Sequence, residues 1–311
     1  MDHFKRVIKA RAKVNFHLSV VGRRADGYHL LNMLNGTLSL ADVLTVKAQI
    51  AKGEPRIEFQ SSNPNHTALP DDSSNLCVRA AREFVSLFSA PLDVQIHLEK
   101  IIPSGAGLGG GSSDAAAVLV TLAEASRVHL GHNCSAHSLL ELALSLGADV
   151  PYFVAGGGFM RVSGIGEETK PVCSRGMKGE NIVVIVPKIH SATPEVFQEF
   201  RTGAYDFSQK DFEFSDTELS YPKLLSLISN DLFLPAQCLY PALGELANYL
   251  NGVQGIRFGM SGSGSSFFIL SDRPGCPAEE LRSKVRTREL PVEAQVHTCQ
   301  LLDNSFEFCS K

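Results

Sequence analysis

From Pro103 to Leu119 the chain reads Pro-Ser-Gly-Ala-Gly-Leu-Gly-Gly-Gly-Ser-Ser-Asp-Ala-Ala-Ala-Val-Leu, and no other stretch restricts the fold as much. Five glycines fall between Gly105 and Gly111. Upstream, Val94, Ile96 and Leu98 alternate with Gln95, His97 and Glu99, which predicts a strand. Downstream, Ala115, Val118, Leu119 and Leu122 recur at helical spacing, so the loop opens directly onto a helix. A strand, a glycine run and a helix N-terminus make a place for an anion. Glycines let the backbone turn and approach closely, and the first helical N–H groups have no partner within the helix. Ser112 and Ser113 add hydroxyl donors, or ligands for a phosphate-bound cation. A flexible connector is the plainer alternative, but a connector rarely needs five glycines set against an alanine-rich helix.

Several phosphate sites use such loops. Gly105-x-Gly107-x-x-Gly110 satisfies the dinucleotide pattern, but that fold needs a second strand ending in an acid about 20 residues on. Here the interval holds the rest of a helix and the polar stretch around Gly131. The Walker pattern fails too, because no Lys follows the last glycine. What remains, Pro-x-x-x-Gly-Leu-Gly followed by small residues and Ser-Ser, resembles the phosphate loop of the GHMP kinases, the family of galactokinase, homoserine kinase, mevalonate kinase and phosphomevalonate kinase.

With 311 residues the chain is long enough for two cores, since single cores stop growing near ~250–300 residues. The net charge of −4 argues against a nucleic-acid binder, which would show a basic face. Seven cysteines with no CxxC pair predict a reduced, cytoplasmic chain. No apolar run approaches the ~20 residues that span a bilayer. The polar N-terminus runs straight into a strand, so no signal or transit peptide is expected.

In chain order, Val14, Phe16, Leu18 and Val20 are expected to point one way along a strand, with Lys13, Asn15, His17 and Ser19 on the other face. A solvated edge would explain the polar face. The charged turn Gly22-Arg-Arg-Ala-Asp-Gly-Tyr-His that follows favours a functional one. Leu44, Val46, Ala48 and Ile50 alternate in a further strand, and residues 51–72 read as a loop. Leu76, Ala80, Phe84 and Phe88 predict a helix from Asn75, with Ser73 or Ser74 available as its cap. On sequence grounds alone Asn75 is a capping residue and Lys100 a solvated charge. His129, His132, Cys134 and His137 cluster without the paired spacing of a structural zinc site, and read as a surface connection.

Leu139 to Leu146 predicts a helix closed by Gly147, after which Pro151 is expected to hold Val150 extended. Asp149 is then a turn carboxylate with apolar flanks, the setting of a cleft in which its ionisation would matter. The residues from Gly156 to Ser174 read as a strand and turns leading out of the first domain. Asn181 to Pro187 is a buried strand, and Thr193 is expected to cap a helix beginning at Pro194. Segments 220–230, 240–250 and 277–287 read as helices. Met260-Ser-Gly-Ser-Gly-Ser-Ser runs into a strand at Phe267, and a last strand from Ala294 to Leu301 closes the chain. Gly262, Ser263 and Gly264 make either a bulge or a second phosphate cradle.

The family resemblance spans most of the chain. It is carried by Ala12-Lys-Val-Asn-Phe, the 22–29 turn, Asp72-Ser-Ser-Asn-Leu-Cys-Val-Arg-Ala-Ala, the glycine loop, Leu146-Gly-Ala-Asp-Val-Pro-Tyr-Phe, Asn230-Asp-Leu and Phe258-Gly-Met-Ser-Gly-Ser-Gly-Ser-Ser. Residues 200–220 and 271–311 match weakly, and Arg11 stands where a Pro is usual. The Arg-Ala-Asp-Gly-Tyr-His element is similar to that of one branch, whose substrate is 4-diphosphocytidyl-2-C-methyl-D-erythritol; other GHMP kinases lack it.

The resemblance implies a two-domain α+β architecture, a ribosomal protein S5-like ATP domain over 1–165 and a ferredoxin-like C-terminal domain over 166–311. The last strand, near 300–311, is a candidate to return to the first domain. It implies transfer of the ATP γ-phosphoryl group to the substrate 2-hydroxyl, with Asp149 as base and Lys13 offsetting developing charge. ATP would lie on Asn75, Leu76, Lys100, Pro103, Gly105, Gly107, Leu108, Gly109, Gly110, Gly111, Ser112 and Ser113. Tyr28, His29 and Phe197 would sandwich and read the cytosine, with Thr193 nearby, Asn15 placing the methylerythritol and Gly262, Ser263 and Gly264 cradling the diphosphate. Mg2+ is expected, held chiefly by phosphates and Ser112 or Ser113, with Asp114 the one obvious carboxylate. Another GHMP small-molecule kinase, or a non-catalytic ATP- and sugar-sensing member, are the rivals. The Tyr28-His29 pair speaks against the first, and the presence of Lys13 and Asp149 against the second. No nucleic-acid or membrane partner is expected.

Overall fold

The alternating N-terminal stretch folds as predicted into a strand, but a longer one. The computed structural model describes residues 4–62, 69–174, 176–203, 205–207 and 218–309. In it β1 (Phe4–Arg23) and β2 (His29–Ile50) form an antiparallel hairpin running from the Phe4–Ala48 pair to the Arg23–His29 pair. Then follow β3 (Ile57–Ser62), α1 (Leu76–Leu87), β4 (Leu92–Glu99), α2 (Gly110–Leu130), α3 (Ala136–Leu146), α4 (Val150–Val154), β5 (Met160–Gly164) and β6 (Glu168–Pro171). The second half comprises β7 (Asn181–Pro187), α5 (Thr193–Thr202), α6 (Tyr221–Leu227), β8 (Ser229–Asn230), α7 (Phe233–Leu239) and α8 (Pro241–Asn251). It ends with β9 (Ile256–Met260), β10 (Phe267–Ser271), α9 (Ala278–Ser283), β11 (Ala294–Leu302) and β12 (Phe306–Cys309).

The described strands join in one sheet whose main path is β12-β1-β2-β11-β7-β10-β9, with β4 and β5 also on β2. The long β2 makes this possible by changing partners along its length. Leu31–Asn35 pairs with β5, Thr37 and Leu38 with β11, and Val43–Ile50 with β4. Helix α2 lies against β1 and β2 and buries Ala115 to Leu119 completely. Its run of alanines lets the helix approach the sheet closely.

β1 does not keep the simple alternation expected of it. Its register with β2 shifts at three places. Between Asn15 and His17 and between Val20 and Gly22 one extra residue enters β1, whereas between Arg11 and Lys13 the extra residues lie in β2, between Ala41 and Thr37. Val14 and Phe16 therefore join one apolar cluster, with Ile182, Val184 and Phe268, while Leu18 and Val20 join the cluster under α2. Lys13, Asn15, His17 and Ser19 are all buried, which removes the solvated-edge reading.

Other expectations need correction. The predicted 51–72 loop contains β3, which pairs parallel with β4; residues 63–68 of it lie outside those described. Helix α1 is capped by Asn75, as sequence grounds alone had it, its side chain accepting the Cys77 N–H; Ser73 and Ser74 do not take that part. Val150 is helical, not extended, because Pro151 sits in the first turn of α4, where its missing N–H costs nothing. Thr193 is the first residue of α5, with Ala192 at the cap position and no side-chain cap bond. The predicted 220–230 helix stops at Leu227 and gives way to β8, and α7 was not anticipated. β11 is not the last strand: β12 follows it and pairs with β1. Of the histidine–cysteine group, His129 lies in the last turn of α2 and His137 in α3, where it meets Glu141 at 3.4 Å. No group of three or more His, Cys, Asp or Glu that could hold a metal occurs among the described residues.

The tightest point of the hairpin faces the second apolar cluster. Gly36 pairs with Val14, and a Cβ there would overlap the ring of Phe16, itself fixed against Phe159 (5.7 Å) and Phe268 (5.1 Å). Gly36→Ala should therefore destabilise the fold by ~1–3 kcal/mol through overpacking. Urea denaturation monitored by circular dichroism measures this; an unchanged midpoint would mean that the Phe16 ring can move aside.

Candidate active site

The glycine loop borders a cleft of about 400 Å³. Gly105 to Gly111 and Ser112 form one wall, Asn75 and Leu76 at the start of α1 another, and Pro103, Lys100, Asp114 and Asp149 complete the lining. Gly105, Gly107 and Gly109 all have positive φ, near 70°, which an L side chain adopts only under strain. Gly109 occupies the cap position of α2, so the free N–H groups of that helix open on the loop. Ser113 stands apart from its neighbour Ser112: it is fully buried, and its hydroxyl has no partner among the described residues.

Beneath the loop lies a charged trio that sequence reasoning did not anticipate. Lys100, read from sequence alone as a solvated charge, is 5% exposed and donates to Asp42 and to Asp114 Oδ2 (2.9 Å). Asp42 also accepts the backbone N–H groups of Ile101 (2.5 Å) and Ile102 (2.8 Å) with its other oxygen. Burial alone would lower the Lys100 pKa, but the facing carboxylates of Asp114 and Asp42 outweigh it and hold the ammonium charged. Burial pushes the Asp114 carboxyl well up, opposed by the Lys100 charge and reinforced by Asp42. The signal was present in the alternation. Asp42 continues the inward face of Leu44, Val46 and Ala48, and Lys100 that of Val94, Ile96 and Leu98.

Lys13 is 2% exposed, and its ammonium lies 3.3 Å from Asp149 Oδ2 and donates to Asn15 Oδ1 at 2.7 Å. Asn15 Nδ2 in turn donates to Asn35 Oδ1 at 2.7 Å. Asp149 is held at the head of α4, whose Tyr152 and Phe153 are completely buried. The Tyr152 hydroxyl donates to Gly158 O (2.7 Å) and accepts from Thr37 Oγ1 (2.7 Å), which ties α4 to β2. The structure thus brings Lys13, Asn15 and Asp149 together at the edge of the cleft.

The second glycine loop packs directly on the first. Ser261 Oγ donates to Gly107 O at 2.9 Å, and Ser266 N to Ala106 O at 3.2 Å. Thr193 Oγ1 and Ser263 Oγ share a hydrogen bond of 2.7 Å, and Gly262 lies beside Asn15. Further out, the His29 ring stacks on Phe197 (4.9 Å) and meets Phe200 edge-on (6.0 Å), while Tyr28 is 62% exposed. Burial lowers the His29 pKa, and Arg201 and Arg23 lower it further, so the imidazole is neutral at physiological pH.

A glycine loop at a helix N-terminus, with a Lys–Asp pair at its rim, on a mixed sheet of this kind defines a GHMP kinase. The model of the GHMP kinases N terminal domain matches residues 75–157. Relatives named 4-diphosphocytidyl-2-C-methyl-D-erythritol kinase match nearly end to end. The one from Polaromonas sp. is 36% identical over 88% of this chain and 87% of its own. That from Prosthecochloris aestuarii is 34% identical over 92% and 96%. A solved structure of 4-(cytidine 5'-diphospho)-2C-methyl-D-erythritol kinase is 34% identical with a TM-score of 0.69, covering 95% of this chain and 99% of that one. Homoserine kinase from Cytophaga hutchinsonii shares the fold at 15% identity, with a TM-score of 0.68 and 98% of each chain covered. The chain belongs to the 4-diphosphocytidyl-2-C-methyl-D-erythritol kinase family.

The buried trio generates a stability prediction. Asp42→Ala leaves Lys100 short of a partner and two backbone N–H groups without an acceptor, so unfolding free energy at pH 7 should fall by ~3–5 kcal/mol. Equilibrium denaturation reads it directly, and a loss below ~1 kcal/mol would show that water or Asp114 replaces the lost contacts.

Proposed function

We propose that this chain transfers the γ-phosphoryl group of ATP to the 2-hydroxyl of 4-diphosphocytidyl-2-C-methyl-D-erythritol, the substrate carried in its relatives' name. The observation that carries this reading is that Asp149, paired with Lys13 at 3.3 Å, opens on the same cleft as the glycine loop. Residues 1–165 supply that loop and the catalytic pair, and residues 166–311 supply Thr193, Phe197 and the Gly262–Gly264 loop.

The triphosphate lies along Gly105–Ser112, held by backbone N–H groups and the positive end of α2, with Asn75, Leu76 and Lys100 on the nucleoside side. The cytosine enters between Tyr28 and Phe197, where the neutral His29 offers one donor and one acceptor. Thr193 and the Gly262–Gly264 loop hold the diphosphate, and Asn15 the methylerythritol. Asp149 takes the proton of the 2-hydroxyl as its oxygen bonds to the γ-phosphorus and the bond to the ADP oxygen breaks. Lys13 offsets the negative charge spread over the transferred oxygens.

A magnesium ion fits the donor set. The hydroxyls of Ser112 and Ser113 stand in the first turn of α2 and the Asp114 Oδ1 atom just past it, and Ser113 Oγ and Asp114 Oδ1 are buried without a hydrogen-bond partner among the described residues. An ion taking most of its ligands from phosphates and water suits so few protein oxygens. When bound it neutralises phosphate charge. A cytoplasmic location accords with seven free cysteines.

A coupled ATP-turnover assay against 4-diphosphocytidyl-2-C-methyl-D-erythritol, mevalonate, homoserine and galactose tests the reading; turnover only with one of the other three would overturn it. Asp149→Asn keeps the shape but cannot accept the proton, so kcat should fall ~10²–10⁴-fold while both substrates still bind. Lys13→Ala should give a similar loss, and the double variant little more, since the two act as a unit. For the base site, Phe197→Ala should raise KM for the cytidyl substrate roughly 5- to 150-fold and leave that for ATP nearly unchanged. A shift confined to ATP would place Phe197 on the wrong side of the cleft.

A further inference from the structure

Ser261 was not among the site residues anticipated from sequence, yet its hydroxyl stands where three parts of the cleft meet. The residue is completely buried. Its Oγ donates to Gly107 O (2.9 Å) in the nucleotide loop and accepts from Asn15 N (3.3 Å) on the strand that carries Lys13. A hydroxyl has one proton, so the 3.5 Å approach to Asn15 Oδ1 is a contact and not a second donated bond. That same Asn15 Oδ1 accepts from Lys13 Nζ. The chain of contacts therefore runs from Gly107 through Ser261 and Asn15 to Lys13 and Asp149.

The surrounding backbone leaves little slack. A Cβ at Gly107 would overlap the Ser261 carbonyl and stand 2.8 Å from Gly264 O. Lys13 N donates to Leu108 O (2.9 Å), and Gly264 N donates back to Ser261 O (3.0 Å), closing the turn that presents Gly262 and Ser263. Asn230 Nδ2 donates to both Met260 O and Gly262 O at 2.8 Å, which fixes the same turn from its far side. Gly107 and the second loop are thus in direct contact, so a displacement of one would press on the other.

We infer that the Ser261 hydroxyl is a positioning group that couples the two halves of the cleft, so that occupying the glycine loop with phosphates tightens the acceptor loop, and the reverse. The inference rests on the function proposed above. Because coupling between two binding sites is reciprocal, each ligand must raise the other's affinity by the same factor. Neither effect requires Ser261 to touch a ligand.

Calorimetry supplies the test, with a β,γ-imido ATP analogue and 4-diphosphocytidyl-2-C-methyl-D-erythritol titrated singly and with the other saturating. In the unaltered protein each ligand should tighten the other by ~5–150-fold, the usual range for coupled sites. Ser261→Ala should bring that factor to about one while both ligands still bind singly; Ser261→Cys, a weaker donor, should fall between. Ser266→Ala is the control. It lies on the same loop, is equally buried, and its hydroxyl has no partner among the described residues, so the coupling should survive. Loss of coupling in both alanine variants would assign the effect to loop packing and overturn the role of the hydroxyl. Two ligands that bind the unaltered protein independently would overturn the inference and leave the proposed reaction standing. Failure of the cytidyl substrate to bind at all would remove both.

Discussion

Everything around the cleft depends on how one ammonium group is buried between two carboxylates. Lys100 leaves β4 where that strand ends, Asp42 comes from β2 and Asp114 from α2 just past its first turn. An isolated buried charge would be far too costly, and even a pair recovers its desolvation only with good geometry. The trio solves this by spreading one positive charge over two acceptors and giving the other Asp42 oxygen two backbone N–H groups. The result is less a source of stability than a constraint on position. It pins Lys100, five residues before the loop, and Asp114, three residues after it, to the same strand, so the ends of Gly105–Gly111 are held close to fixed points. An alanine-rich helix without this tether could slide along the sheet, because small side chains interdigitate weakly.

Given fixed ends, the loop's shape follows from what it touches. Three glycines at positive φ let the backbone double back, and Gly107 lets it approach the second loop more closely than any side chain permits. On the other side of the cleft the bulges of β1 matter as much. Without the register shift after Asn15, Val14, Phe16, Leu18 and Val20 would share one core, and one of the two apolar clusters would lack its strand. The same distortion lies beside Lys13 and Asn15, so the feature that divides the core is also at the proposed catalytic edge.

Much of this was legible in the chain, and the failures share a cause. The loop, the helix after it and the β-branched strand Asn181–Pro187 are local patterns, set by residues within a dozen positions of one another. Asn75 was legible as a cap, with Ser73 and Ser74 as rivals, while the helical Val150 was misjudged. Capping chemistry is satisfied by several neighbours, and Pro suits a first turn as well as a turn's end. The bulges were invisible, because a strand with one extra residue still alternates in sequence. Ser261 and Asn230 lay within the family motifs but their roles were not legible, because the meaning of each comes from carbonyls distant in the chain. Asp42 and Lys100 could have been found. Each carries a charge on the parity that its neighbours reserve for Leu, Val and Ile, and the register that pairs Val43 with Glu99 sets them opposite one another.

That division between backbone and side chain extends to recognition. On the proposed nucleotide side the groups offered to a phosphate are mainly N–H dipoles, and Lys100 beneath the loop has its charge absorbed by Asp42 and Asp114. Dipoles need glycines and a helix end, and little else in the sequence, so such a wall survives wide divergence. The fold is retained in homoserine kinase at 15% identity. On the proposed acceptor side, beside the Gly262–Gly264 loop, the surface is made of side chains: Asn15, Tyr28, His29, Thr193 and Phe197, drawn from three separate segments. These can change one at a time without disturbing the loop behind them. A kinase built this way can keep its phosphoryl donor fixed while its acceptor changes. The contact between the two loops, where Ser261 meets Gly107 and Ser266 meets Ala106, is where the proposed coupling would carry a change on the acceptor side to the donor.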